Sequence, residues 1–393
     1  MSLFRTISRR SSVFGRPTLG RLVFLSAFLS LNVQIPLANA LGFEIKLFHF
    51  LFVLAFPLAI FYICLKWGSF FYFVPFMFIV PFMFIVLLSS ASSLMAGHIE
   101  HIRLLPNYIF AFLVFFTSLG LARALPVDAQ IKGLQVVGWL ILFAIVAKTF
   151  VSWPQIREYL ANPYAHPELF WFYGGGVNLE ATFLSMNAAF YRKTKSFWLY
   201  WTLSFTLSVV YASRVGILLG AILAFLQLIS QRSWRAIFLG ITLAIGAGIV
   251  TYSLNPYAFT RFAQVGKETG SATRLEIWSG AWQALKGLPL LGYGPGGAIL
   301  AAEDASGRDF VEDNVHNYPL QVLLDFGLPG LLAWLIICVY ILKNAGLLRG
   351  NEYGTYTFLY LVAGMVQFRG AEPLFWFIIG LLVAARDHRR SHV

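Results

Sequence analysis

Long unbroken apolar runs separated by polar connections dominate the chain. Runs able to cross about 30 Å of hydrocarbon, roughly 20 residues each, lie at 21–39, 45–66, 69–96, 104–123, 132–152, 176–192, 196–213, 215–231, 235–254, 317–342, 353–368 and 372–386. These runs are continuous and do not alternate, so backbone groups inside a membrane are satisfied by helices and not by a strand barrel. The pattern predicts an all-α polytopic membrane protein of about twelve transmembrane helices. Two connections are long, 153–175 and 255–316. The second divides the chain into an N-terminal bundle of about nine helices (1–254), a long loop (255–316), and C-terminal helices with a tail (317–393).

Inside that loop, "TRLEIWSGAWQALKGLPLLGYGPGG" predicts a helix near 273–287. Thr273 with Glu276 forms a capping box, and Gly287 and Pro289 mark the stop. Leu275, Trp278, Trp282 and Leu285 share one face, which suits a helix lying in the headgroup region. The next run opens "EDNVHNYPLQVLLDFGLPG" over residues 312–330. A break at Gly327, Pro329 and Gly330 is tolerated in protein or beside a cavity, so Asp325 is expected to face the bundle interior. The direct repeat "PFMFIVPFMFIV" at 75–86 holds no reactive side chain and reads as structural.

Composition agrees: 59% of residues are hydrophobic, 17% aromatic and only 12% charged. The formal net charge of +12 raises nucleic acid as a partner, but the charge is sorted by topology. With spans numbered from a cytoplasmic N-terminus, the cytoplasmic segments hold 18 basic and 3 acidic residues, against 11 basic and 14 acidic elsewhere. That is the positive-inside asymmetry; it places both termini in the cytoplasm and implies no nucleic acid. Cys64 and Cys338 both fall in apolar runs and suit neither a disulfide framework nor a cysteine metal site. A basic N-terminus, the stretch Leu22 to Leu31 and Ala38-Asn39-Ala40 mimic a cleavable signal peptide, whose removal would leave eleven spans. The polar Asn32 and Gln34 equally suit a retained first helix.

The long loop carries five basic and seven acidic residues, so it is no generic basic patch. Arg274 near the start of its helix opposes the helix dipole unless an anion is close. Arg214, at the junction of two spans in "YASRVGILLG", is costly unless paired or serving a site. Arginine's planar fork suits phosphate oxygens, and Arg214, Arg274 and Arg308 or Arg369 together would hold a diphosphate. The alternative is pairing with Glu180, Asp325 or Glu372. His316 stands where the long loop meets a span and, with Asn317, is expected to face a reaction site as proton acceptor or hydrogen-bond orienter. Glu180 and Tyr293 complete the substrate-contact candidates. No second histidine accompanies His316 at ligand spacing and residues 303–313 lack the calcium-loop pattern, so neither metal nor cofactor is expected.

Three motifs, "SRVGILLG", "TRLEIWSGAWQALKGLPLLGYGPGG" and "VHNYPLQVLLDFGLPG", resemble the O-antigen ligase family, which includes O-antigen and exopolysaccharide polymerases. The resemblance spans about 213–330; the N-terminal half matches only as a run of helices. It implies the architecture of the C-type lipid-dependent glycosyltransferases and an active site on the periplasmic face of the bacterial inner membrane. The donor it implies is a glycan on undecaprenyl diphosphate, held by Arg214 and Arg274, with His316 assisting the acceptor hydroxyl. An acceptor of lipid A-core makes a ligase, the favoured reading; a second lipid-linked repeat makes a polymerase, and a protein hydroxyl an oligosaccharyltransferase. Outside the class, a lipid-linked glycan flippase is the rival, although no repeated halves are visible.

Overall fold

The computed structural model describes residues 17–40, 43–65, 76–161, 169–174, 176–231, 269–367 and 370–390, with isolated positions between 238 and 253. Most of the expected span at 235–254, and Arg369, lie outside the described residues. Helix α1 (Pro17–Asn32) leads into an antiparallel hairpin of β1 (Pro36–Ala40) and β2 (Phe43–Lys46) that pairs Asn39 with Glu44. The helix-only expectation thus gains a small sheet, formed by the segment that resembles a cleavage site. α1 packs as a bundle member: Phe24, Phe28 and Leu31 are buried, and the Phe28 ring contacts Phe190 and Phe377.

The helices continue with α2 (Leu47–Leu65), α3 (Phe76–Met95), α4 (Leu105–Ala124), α5 (Val127–Val151), α6 (Trp153–Ala161) and α7 (Gly176–Asn187). α8 (Phe197–Val210) and α9 (Arg214–Gln231) follow; then come α10 (Thr269–Ala284), α11 (Gly297–Ser306), α12 (Tyr318–Asn344), α13 (Glu352–Gly364) and α14 (Pro373–Arg390). Among the described residues four helical stretches are long and apolar enough to cross a membrane: Leu47–Cys64, Ile99–Ala124, Val127–Val151 and Tyr318–Arg349. Shorter apolar helices accompany them, including Phe197–Val210 and Pro373–Ala385. The architecture is that of an all-α membrane protein. Leu54, Phe84, Phe143, Phe150 and Phe225 point outward from these helices, an apolar surface far larger than a soluble protein exposes.

Aromatic rings hold the centre. Trp376 of α14 is fully buried against Phe82 of α3 and Phe112 and Phe115 of α4, so the last helix packs onto the middle of the bundle. A second, smaller core lies where α10 and α11 meet the start of α12, built from Ile277, Ala281, Ala298, Ala302, Val315 and Leu324. It fixes the long connection to the membrane helices.

α10 differs from its sequence expectation. It begins at Thr269, so Thr273 and Arg274 lie inside the helix and the capping-box pair does not start it. The expected apolar stripe also divides. Leu275 and Trp282 are exposed, whereas Trp278 turns inward and its indole Nε1 donates to the Val315 carbonyl at 2.8 Å. Ile277 and Ala281 form the face that packs.

Candidate functional site

The sequence "NVHNYP" builds one wall of the site by local backbone chemistry. Asn314 Oδ1 accepts from the His316 N–H at 3.0 Å, an Asx turn, and this draws His316 into the left-handed region at φ 54°. A β-carbon makes that conformation costly, and such strain persists where the surroundings over-determine it. Asn317 then caps α12, its Oδ1 accepting from the Leu320 N–H at 3.1 Å, and Pro319 occupies the first turn where no donor is needed. His316 is therefore held from both sides. Neither of its ring nitrogens makes a hydrogen bond among the described residues, while Nε2 lies 3.1 Å from Glu312 Oε2, close enough for an ion pair.

His316 lines a cavity of about 650 Å³. Arg274 of α10 lines the same cavity, and Trp278, one turn further on, grips Val315 beside His316. One helix thus places both the arginine and the backbone that carries the histidine. Arg103, just before α4, also lines the cavity and donates to the Asp313 carbonyl at 2.9 Å. The hairpin region lines it too. Lys46 Nζ lies 3.0 Å from Gln34 Oε1 and 3.1 Å from Glu44 Oε2, and all three residues border the space. Asn107, Asn178 and Gln367 add neutral polar groups, the kind that hydroxyl-rich ligands engage. Tyr173 also lines the cavity, its buried hydroxyl donating to Asn32 Oδ1 at 2.6 Å. Burial pushes that phenol well above the usual tyrosine range, so it remains a donor.

Of the candidate residues, the structure brings His316 and Arg274 together in this cavity. Arg214 begins α9 and is half-buried outside the lining. Its neighbour Ser213 caps that helix through the Gly216 N–H at 3.3 Å and reaches the carbonyl of Asn178, a lining residue, at 3.4 Å. Arg308 is exposed and pairs with Glu276 at 3.2 Å. Asn317 uses its Oδ1 in the cap and is not among the residues that line the cavity. Glu180 is buried against Lys148 at 2.6 Å and also accepts from the Phe172 N–H at 2.8 Å, so it anchors the loop that carries Tyr173. The Tyr293 hydroxyl donates to the Ala284 carbonyl at 2.8 Å and borders no part of the cavity.

Asp325 faces the interior and binds backbone. Its Oδ1 accepts from Gly296 N at 3.1 Å and Ala298 N at 2.9 Å, Oδ2 accepts from Gln321 Nε2 at 3.3 Å, and its carbonyl accepts from Ser89 Oγ at 2.8 Å. Gly327, at φ 66° and ψ −168°, breaks α12 there, and the "GYGPGG" loop enters the break. Tyr293 N donates to the Leu324 carbonyl and Gly294 N to that of Asp325, which pairs the loop with the opened helix. A Cβ on Gly292 would come within 2.5 Å of the Asp325 and Gly327 backbones, so only glycine fits.

Arg103 and Lys46 were not among the candidates. The signal for Arg103 was in the charge pattern: it is a cation in a connection expected on the side where acids outnumber bases, against the positive-inside trend. Elsewhere, His98, Glu100 and His101 bring their potential metal-ligand atoms within 4.8 Å of one another. The two histidines stand three residues apart in the sequence and far from His316 in the chain.

Fold and site together define a multi-pass helical membrane protein with a charged, hydroxyl-compatible cavity at its helix ends. Residues 190–335 match the family model described as O-antigen ligase, a stretch that includes Arg214, Arg274 and His316, and the match supports the O-antigen ligase and polymerase family for this chain. That family implies a glycosyltransferase-type enzyme acting on lipid-linked glycan. No curated protein matches the chain.

Proposed function

We propose that the cavity transfers a glycan from undecaprenyl diphosphate to an acceptor hydroxyl at the periplasmic face of the inner membrane, with lipid A-core as the acceptor. The observation that carries this reading is the conformation of His316, strained at φ 54° where it lines a cavity that Arg274 and Arg103 also line. The acceptor oxygen attacks the anomeric carbon, the bond from that carbon to the diphosphate oxygen breaks, and the configuration inverts. His316 accepts the hydroxyl proton, with Glu312 beside Nε2 to stabilise the imidazolium. Arg274, with Arg214 or Arg103, stabilises the charge that grows on the departing lipid diphosphate, a transition-state effect. No step requires a metal ion. The chain crosses the membrane twelve times with both termini in the cytoplasm, and the lipid tail lies against the apolar helices.

Purified protein in liposomes, given undecaprenyl-diphosphate glycan and either lipid A-core or a second lipid-linked glycan, tests the reading. Product on lipid A-core alone supports the ligase. Chain extension alone makes the protein a polymerase, and glycan movement across the bilayer without transfer overturns the enzymatic assignment.

A further inference from the structure

His98, Glu100 and His101 sit on and beside the 3-10 turn Ile99–Ile102, between α3 and α4. The two imidazole rings stack at 4.7 Å between centroids, 18° from parallel, with the carboxylate of Glu100 in reach of both. His98 and Glu100 are exposed, and stacking alone would account for an exposed histidine pair. What stacking leaves unexplained is the hydrogen bond on the far side of His101. Its Nδ1 lies 2.9 Å from the Tyr293 carbonyl, which also accepts from Ser93 Oγ at 2.8 Å. A carbonyl only accepts, so Nδ1 carries the proton and Nε2 holds a lone pair. A histidine ligand fixed in this way by an outer carbonyl is a recurrent feature of metal sites.

We propose that His98, Glu100 and His101 bind one divalent transition-metal ion of the zinc type. Two neutral imidazoles and a carboxylate are borderline ligands that suit zinc better than calcium or magnesium, and three protein ligands leave a fourth position for water. Zinc bonds of 2.0–2.2 Å in tetrahedral geometry require ligand atoms about 3.3 Å apart. The present separations, up to 4.8 Å, close by rotating the two exposed side chains toward His101, which is already held. The ion takes no part in glycan transfer; it is a clip. It ties the turn to the "GYGPGG" loop, against which Leu104 N also donates to the Pro295 carbonyl at 2.9 Å, and so steadies neighbouring Arg103 in the cavity wall.

The test uses the full chain in detergent with a streptavidin-binding tag, so that no histidine tag contributes. Protein stripped with chelator, incubated with zinc chloride and desalted is assayed for metal by mass spectrometry. Wild type is expected to retain one zinc per chain and to melt at higher temperature with zinc than with calcium or magnesium. His98→Ala combined with His101→Asn is expected to retain none; the asparagine amide still donates to the Tyr293 carbonyl, so the loop contact survives while the ligand is lost. Glu100→Gln, an exposed change that leaves folding intact, should raise the zinc Kd at least about tenfold, since loss of even an outer partner costs that much. Wild type that retains no zinc, or retention that is equal in the double variant, overturns the proposal.

Discussion

Asp325→Ala is predicted to release the "GYGPGG" loop from the broken helix, and the size of the effect follows from what the carboxylate holds. Oδ1 is the side-chain acceptor for two buried backbone N–H groups, Gly296 at 3.1 Å and Ala298 at 2.9 Å. Each buried donor left without an acceptor costs about 1–3 kcal/mol, so the pair loses about 2–6 kcal/mol. Hydrogen–deuterium exchange of the 292–298 peptide reads this directly. Even the lower bound, about 2 kcal/mol, accelerates exchange roughly thirtyfold if the loop opens as a unit. Asp325→Asn separates geometry from charge. Its amide oxygen can occupy the Oδ1 position, and its NH₂ then faces Gln321, whose Oε1 has no hydrogen-bond partner among the described residues and can rotate to accept. Asparagine should therefore keep exchange near wild type. If asparagine exchanges as fast as alanine, the loop is held by charge, and the reasoning from hydrogen-bond geometry fails.

His316→Ala and His316→Gln should both lower transfer by about 10² to 10⁴ while donor binding persists, the contribution of a general base; recovery of most of the rate by glutamine would leave only an orienting role. Arg274→Lys and Arg214→Lys keep charge but lose the fork, so each should cost about 1.5–3 kcal/mol, tenfold or more in turnover at normal protein levels. Wild-type rates in both would remove the diphosphate clamp. Lys148→Met strands the buried Glu180 carboxylate and should lower stability by about 3–5 kcal/mol in thermal melts, whereas Lys148→Met with Glu180→Gln recovers most of it; an unstable double variant would show that the pair does more than neutralise itself. In a chain lacking Cys64 and Cys338, a membrane-impermeant thiol reagent on intact spheroplasts should label Ser306→Cys and spare Ser391→Cys, and the reverse pattern would place the cavity on the cytoplasmic side.

The apolar helices were legible because continuous apolar runs have few alternatives, and α3, α4, α8 and α12 lie where such runs predict helices. The hairpin at 36–46 was not. Its first strand, Pro-Leu-Ala-Asn-Ala, has no β-branched residue and pairs with a single partner, so no propensity announces it. His316 stood out because a titratable group at a helix entrance is locally unusual; Arg274 stood out as a cation at an expected helix start, a reason the structure removes by beginning that helix at Thr269. The partners that define the cavity did not, since Lys46, Arg103 and Gln367 come from three distant parts of the chain. Asp325 shows the same limit: its burial could be inferred from one segment, but the N–H groups it holds lie 29 and 27 residues away. Thr273 erred in the other direction, a capping signature inside a helix already begun at Thr269.

The pairing of loop and opened helix sets the smallest piece of this protein that can be exchanged. A graft of residues 290–298 alone would bring a foreign loop to a break shaped by Gly327 and Asp325, and a graft of α12 alone would leave the native loop without its docking edge. Any exchange between related chains therefore has to move both sides of this joint together, from Leu290 through Gly330, treating a loop and the bend of a separate helix as one heritable cassette.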